Sequence, residues 1–134
     1  MTTEEKIQHW INLSDNDLKV AKDLLLSKHY LEMGFFCHLA IEKIFKACYT
    51  KLKEDTPPCI HDLRRLAISA DFWKKLSDIQ QSQVIELLPL QIEARYPEYK
   101  SRIARLLTEA KCKQILEQAK HLQQWTKEQI LLEK

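Results

Sequence analysis

The chain has 134 residues, of which 45% are hydrophobic and 30% charged, and its formal net charge is +2. These values are typical of one folded domain with a single core, and they disfavour disorder. The near balance of charge leaves only a weak overall attraction to nucleic acid or to an anionic membrane. No run approaches the ~20 apolar residues of a membrane span, and MTTEEKIQHW lacks the pattern of a signal peptide. We therefore expect a cytoplasmic protein.

Residues that favour helix dominate the composition, whereas residues that favour tight hairpin turns are scarce. The chain contains one glycine and four prolines, and it is rich in Leu, Ala, Lys, Glu and Gln. We predict one all-α domain over residues 1–134. Short connections favour antiparallel neighbours, so the predicted fold is an antiparallel up-and-down helical bundle of four main helices plus a short helix.

The first two helices are predicted from the spacing of their apolar residues. Such residues recur at three- and four-residue steps over Thr3–Ser27, although the polar run that begins at Ser14 allows a break there. The second helix is predicted over Leu31–Lys53. Its apolar face covers well over a third of the circumference, which indicates contact with more than one neighbouring helix.

A proline pair separates the second helix from a short third helix. Pro57 and Pro58 cannot both lie within a helix. His61 or Asp62 can then cap a helix over Leu63–Ser69. An alternative function for His61 is to line a cleft beside the second helix and to titrate there.

Proline and capping residues also divide the remaining chain. A fourth helix is predicted over Asp78–Glu93, with a kink or division at Pro89. The stretch ARYPEYKSRIARLL is predicted to be the least regular part of the chain. Thr108 then caps a final long helix that ends near Leu131.

The four cysteines form no CxxC pair. Cys37 and Cys48 fall on one apolar helix face, too far apart along the axis to form a disulfide. We expect buried free thiols in a reduced compartment. We expect neither a metal site nor a cofactor.

A polar stripe on the second helix contains His38, Glu42, Lys46 and Tyr49, with Lys43 at its far edge. One interpretation is a solvated helix face with pairs at four-residue spacing. The other is a polar pocket between helices, in which Glu42 orients a cation and Lys46 meets a phosphate.

The step Arg95-Tyr96-Pro97 is the second candidate site. Pro97 predicts an extended backbone at Tyr96, which ends the fourth helix and places Arg95 at a helix end. A guanidinium there suits bidentate phosphate recognition. The alternative is a structural arginine paired with Glu42 or with a helix carboxyl terminus. The basic residues that follow form either a phosphate-binding patch or a solvated run: Lys100, Arg102, Arg105, Lys111 and Lys113.

Three stretches in this order, CHLAIEKIFKACY, PPCIHDLRRLA and ARYPEY, resemble the HEPN family (higher eukaryotes and prokaryotes nucleotide-binding). The resemblance covers about Trp10 to Leu131 and implies a helical bundle that is usually a homodimer. It also implies a partner, because stand-alone prokaryotic members are often encoded beside a minimal nucleotidyltransferase. Such a pair can act as toxin and antitoxin. Some members bind nucleotides, and some are metal-independent ribonucleases.

The ribonuclease members carry a histidine about four to six residues after an arginine, and this spacing is absent here. The only histidine that follows any arginine is His121, which lies 16 residues beyond Arg105. Histidine is the side chain that most readily shuttles protons near neutral pH. We therefore do not expect standard ribonuclease activity.

The sequence leads to three hypotheses. The first is a binding module for a nucleotide or an RNA phosphate, acting with a partner nucleotidyltransferase. The second is a ribonuclease with a non-standard catalytic set, in which His61 comes from a different helix than Arg95. The third is a purely structural, dimeric interaction domain. The candidate ligand-binding residues, with Lys43 added by the resemblance, are Arg95, Tyr96, Glu42, Lys43, Lys46 and His61.

Overall fold

The computed structural model describes residues 1–93 and 95–132, and within these ranges the chain forms helices and no strand. The predicted all-α helical bundle is therefore confirmed. None of the described helices combines the length and the apolar character needed to cross a bilayer. The α-helices are α1 (Thr3–Leu26), α2 (Tyr30–Lys53), α3 (Leu63–Ser69), α4 (Asp78–Leu87), α5 (Pro97–Leu106) and α6 (Glu109–Leu132). Two 3₁₀ turns, Trp73–Lys75 and Leu88–Leu90, follow α3 and α4.

Helix α1 begins with a capping box and continues without a break. Glu5 N donates to Thr2 Oγ1, and Thr2 N donates to Glu5 Oε1. The break allowed at Ser14 does not occur, because this fully buried serine has partners on two other helices. Its hydroxyl donates to the Ala40 carbonyl of α2 at 2.7 Å and accepts from Gln123 Nε2 of α6 at 3.0 Å. A polar residue that weakens an isolated helix therefore joins three helices here.

Helix α2 lies at the centre of the bundle and contacts the other five helices. This confirms the prediction that its wide apolar face meets several neighbours. The short turn before it makes α1 and α2 antiparallel. Helix α6 runs in the same direction as α2, because Cys37 lies near Cys112 while Ala40 and Gln123 share Ser14. The largest fully buried apolar side chains of α2 are Met33, Ile41, Ile44 and Phe45.

The segment from α4 to α5 differs from the prediction in two respects. Helix α4 ends at Leu87 rather than Glu93, and Pro89 lies in the 3₁₀ turn that follows, so the predicted division at this proline is confirmed. The prediction of an irregular stretch is wrong for residues 97–106, which form α5. The first residue of that predicted stretch, Ala94, lies outside the described residues. Pro97 occupies the first position of α5, where a fixed φ favours helix and no N–H is required.

None of the four cysteines, all of which lie in the described ranges, forms a disulfide, and three of them, Cys37, Cys48 and Cys112, are buried as predicted. Cys59 is exposed, because it lies in the proline loop before α3 and not on a helix face. Burial raises the pKa of Cys37 to about 12 and that of Cys112 to about 11. Both thiols therefore stay protonated at neutral pH and act as small apolar side chains.

Candidate functional site

An open cleft of about 510 Å³ is lined by His61, Gln91, Glu93 and Arg95. Its volume falls within the range of roughly 300–1,000 Å³ that is usual for ligand sites. His61 comes from the loop before α3, and the other three residues come from the segment between the second 3₁₀ turn and α5. Two regions that are distant in sequence therefore form the walls.

A buried carboxylate from α2 lies behind the cleft. Glu42 is 3% exposed. His61 Nδ1 lies 3.0 Å from Glu42 Oε2 and 3.2 Å from Oε1, and Lys46 Nζ lies 3.1 Å from Oε2. A buried carboxylate requires such partners, because an isolated charge in the interior is strongly destabilising. Glu42 thus connects the core of the bundle to the histidine at the cleft.

The polar stripe of α2 faces the interior and not the solvent. His38 is fully buried and Lys46 is 8% exposed. The ammonium of Lys46 lies 5.5 Å from the centre of the Trp10 ring, in a cation–π contact with α1. The interpretation as a solvated face is therefore wrong for His38, Glu42 and Lys46, whereas Tyr49 is half-buried against the core. Glu42 and Lys46 pair with each other, and their further partners, His61 and Trp10, belong to other segments.

His38 is the neutral member of this cluster. Its Nδ1 lies 3.8 Å from Glu42 Oε1, and neither ring nitrogen makes a hydrogen bond with the described residues. Burial lowers the pKa of His38 to about 4, although the Glu42 carboxylate acts in the opposite direction. The negative charge of Glu42 is therefore balanced by Lys46 and, when protonated, by His61.

The two functions considered for the His61-Asp62 pair are divided between the residues. Asp62 caps α3, because its Oδ1 accepts from the backbone N–H of Arg65 at 3.0 Å. The His61 side chain is 58% exposed and lines the cleft. Because Nδ1 faces a carboxylate, the neutral ring carries its proton there, and Nε2 is left as an acceptor.

Arg95 is held at the cleft by its own segment. Its Nε donates to the Gln91 carbonyl at 3.3 Å, and its guanidinium lies 4.9 Å from the centre of the Tyr99 ring. The Tyr99 hydroxyl donates in turn to the Pro89 carbonyl at 2.7 Å. Among the described residues, Arg95 has no carboxylate partner, and Glu42 pairs with histidine and lysine instead. The alternative of a structural Arg95–Glu42 ion pair is therefore wrong.

Two of the predicted site residues lie elsewhere. Tyr96 has the predicted extended backbone and precedes α5, but its side chain is 81% exposed and is not among the described residues that line the cleft. Lys43 Nζ pairs with Asp17 Oδ2 of α1 at 2.6 Å. The structure thus brings His61 and Arg95 together, with Glu42 behind them, and separates Lys43 from this group. A ligand contact for Lys43 or Tyr96 stays a prediction.

Three residues of this arrangement were not predicted from the sequence. Gln91 and Glu93 line the cleft, and Tyr99 supports Arg95. The closeness of Arg95 and Tyr99 in the sequence was the available signal, although Arg95 precedes α5 and does not share a helical face with Tyr99. Gln91 and Glu93 had no comparable pattern.

Comparison with known families gives one result. The family model of the HEPN domain matches residues 7–130. No significant match was found among curated proteins or among solved structures. Because the family match covers nearly the whole chain, with the central helix, the loop before α3 and the segment around Arg95 inside it, this protein belongs to the HEPN domain family.

Proposed function

We propose that this protein is a binding module for the phosphate of a nucleotide or of RNA, and that the cleft between His61 and Arg95 holds the phosphate. Membership of the HEPN domain family supports a nucleotide-binding or ribonuclease-like module in general. The observation that carries the assignment to this cleft is that a guanidinium and an imidazole line the same opening.

The chemistry of the cleft suits a phosphate attached to a sugar. Arg95 is exposed and has no carboxylate partner among the described residues, so the N–H groups of its two Nη atoms are available for bidentate contact with phosphate. His61 can donate from Nε2 when its ring is protonated. Glu93 accepts hydrogen bonds and repels phosphate, so it would face a ribose hydroxyl or a base amine. The three side chains would therefore orient the ligand as well as bind it.

The binding test uses purified protein with ATP, GTP and a short RNA. We expect Arg95→Ala to weaken binding roughly tenfold or more, since hydrogen bonds to charged groups are worth about 1.5–3 kcal/mol. Arg105→Ala is the matched control, because Arg105 is exposed on α5 and does not line the cleft. If Arg95→Ala binds all three ligands as well as the unchanged protein does, the cleft is not the site.

The proposed partner is a minimal nucleotidyltransferase, and the proposed assembly is a homodimer in the cytoplasm that forms a toxin–antitoxin-like pair. The family resemblance of the sequence supports this proposal. Sedimentation at micromolar concentration and co-purification with a nucleotidyltransferase encoded by a neighbouring gene test it. A monomer would contradict the dimer. Co-purification without any nucleotide binding would favour a purely structural interaction domain.

A second candidate function is RNA cleavage, and the His61–Glu42 contact favours it. A carboxylate that holds Nδ1 leaves Nε2 to accept the proton of an RNA 2′-hydroxyl. The 2′-oxygen would attack phosphorus, Arg95 would stabilise the added charge, and water would protonate the departing 5′-oxygen. The required test is incubation of end-labelled RNA in EDTA with the unchanged protein and with His61→Ala. Intact RNA in both samples would exclude this function.

A further inference from the structure

A second cleft, of about 430 Å³, lies beside α3 and is lined by Arg64, Ile68, Asp71, Trp73 and Lys74. We infer that it is a stacking subsite for an unpaired nucleobase, and that single-stranded RNA therefore binds more tightly than a free nucleotide. This inference rests on the proposed function of the first cleft, whose phosphate site it extends.

The cleft contains an aromatic platform with a cation above it. The guanidinium carbon of Arg64 lies 5.6 Å from the centre of the Trp73 ring. Trp73 is half-buried against the core, and its carbonyl accepts from Gln81 Nε2 of α4 at 3.0 Å. Packing against the core thus holds the indole, and Gln81 holds the backbone that carries it. Nucleobases stack on indole rings and on guanidinium planes, and such stacking tolerates any base.

The charges around this platform favour an anionic ligand. Asp71 is the one carboxylate among the described lining residues, and it pairs with Lys53 of α2, which lowers the pKa of Asp71. Neither Arg64 nor Lys74 has a carboxylate partner within the described part of the chain. Ile68, which is 49% exposed, adds an apolar wall. A base and its phosphate would therefore find stacking, apolar contact and unpaired positive charge in one place.

The arginines of the chain differ from the lysines in their partners. None of the five forms an ion pair with a described residue, whereas lysines form most of the ion pairs. Three of the five lie over aromatic rings: Arg64 over Trp73, and Arg95 and Arg102 over Tyr99. Arginines that serve only to stabilise a fold usually face carboxylates. Unpaired guanidinium groups beside aromatic rings can offer both phosphate contacts and cation–π contacts to a single strand.

The two clefts are close enough to bind one strand. His61 lines the first cleft and Arg64 lines the second, and only two residues separate them at the start of α3. Their Cα atoms are therefore at most about 11 Å apart. A strand of a few nucleotides that runs past His61 and Arg64 would therefore reach both clefts.

The experiment compares ATP with an eight-nucleotide single-stranded RNA in a direct binding assay. We expect Trp73→Leu and Arg64→Gln each to weaken RNA binding about tenfold, in line with the loss of one stacked base, and to leave ATP binding unchanged. Arg65→Gln is the matched control, because Arg65 is exposed on the same helix and has no aromatic contact. Trp73→Tyr retains an aromatic face and should bind RNA nearly as well as the unchanged protein.

The outcomes separate this inference from the proposed function. If Arg95→Ala weakens both ligands while Trp73→Leu and Arg64→Gln leave RNA binding intact, the stacking subsite is wrong and the phosphate cleft stands. Equal affinity for the same RNA in duplex form would also overturn the inference, because duplex bases are already stacked. If neither ATP nor RNA binds the unchanged protein, both proposals are wrong.

Discussion

His61 Nδ1 lies 3.0 Å from Oε2 of Glu42, a carboxylate that is almost completely buried in the central helix. The contact joins the hydrophobic core to the edge of the candidate phosphate cleft. Because the core is close-packed, the position of Glu42 is fixed, and it fixes the orientation of the imidazole in turn. Stability and ligand binding should therefore both depend on this carboxylate.

Replacing Glu42 by Gln is expected to destabilise the fold and to weaken ligand binding. The Lys46 ammonium would be left buried without a counter-charge, so we expect a loss of roughly 3 kcal/mol in the free energy of unfolding. Urea denaturation measures this loss, and Glu42→Gln with Lys46→Met should recover most of it. Glu117→Gln, in an exposed pair with Lys120, should change stability by less than about 0.5 kcal/mol. An equal effect of Glu42→Gln and Glu117→Gln would contradict the importance of the buried network.

His38 should make the protein less stable in mild acid. Its pKa is about 4 in the folded state, against an ordinary value of 6.5. Between these values the unfolded chain binds a proton that the folded chain does not bind, so stability falls as the pH falls from about 6.5 to about 4. The full effect is roughly 3 kcal/mol. It is absent above pH 6.5, where His38 is neutral in both states.

Urea denaturation of the unchanged protein and of His38→Leu at several pH values tests this effect. The variant should lose stability less steeply over the same interval, whatever its stability at neutral pH. His121→Gln is the control, because His121 is exposed on α6. Parallel stability curves for the unchanged protein and His38→Leu would show that His38 does not cause the acid sensitivity.

Tyr99 should act on ligand binding through Arg95. Tyr99→Phe loses the hydroxyl bond to the Pro89 carbonyl but keeps the ring beneath the guanidinium, so we expect a loss of affinity of about threefold or less. Tyr99→Leu loses both, and its affinity for ATP should approach that of Arg95→Ala. Calorimetric titration with ATP distinguishes the variants. If Tyr99→Leu binds normally, Arg95 does not need this support.

Lys43 provides a test between the sequence-based and structure-based assignments of the site. Lys43→Met leaves Asp17, a nearly buried carboxylate, without its partner, so we expect a loss of about 2 kcal/mol in stability. The affinity for ATP should stay within about twofold of the original, because Lys43 pairs with α1. The double variant with Asp17→Asn should regain stability. A tenfold loss of affinity for ATP in that double variant would show that Lys43 contributes to ligand binding.

The sequence was sufficient for the elements whose signals are local. The apolar spacing of α2 predicted its extent to within one residue, and the capping functions of Asp62 and Thr108 were both available from residue type. Helix α5 was missed because Pro97 was interpreted only as the end of the fourth helix, although at the first helical position proline also favours a new helix. A proline can end one helix or begin the next, and the packing of the surrounding chain decides which of the two occurs.

The candidate site could be predicted only as separate parts. Arg95 and His61 were identified by residue type and context, but their meeting depends on how the loop before α3 packs against the segment before α5. The interior position of Glu42 was also hidden, because its partner His61 and the Trp10 ring that covers Lys46 come from other segments. Periodicity predicts which face of a helix is polar, and it does not show which distant groups cover that face.

The hydrogen bonds at Ser14 have a consequence for the order of folding. The hairpin of α1 and α2 can pair as soon as both helices leave the ribosome, since its contacts are close in sequence. Gln123 is more than a hundred residues away and emerges only after α3, α4 and α5 have been synthesised. During that interval the apolar surface of α1 and α2 that α6 later covers is exposed to water and to other nascent chains. An incomplete chain therefore exposes apolar surface that favours aggregation during synthesis.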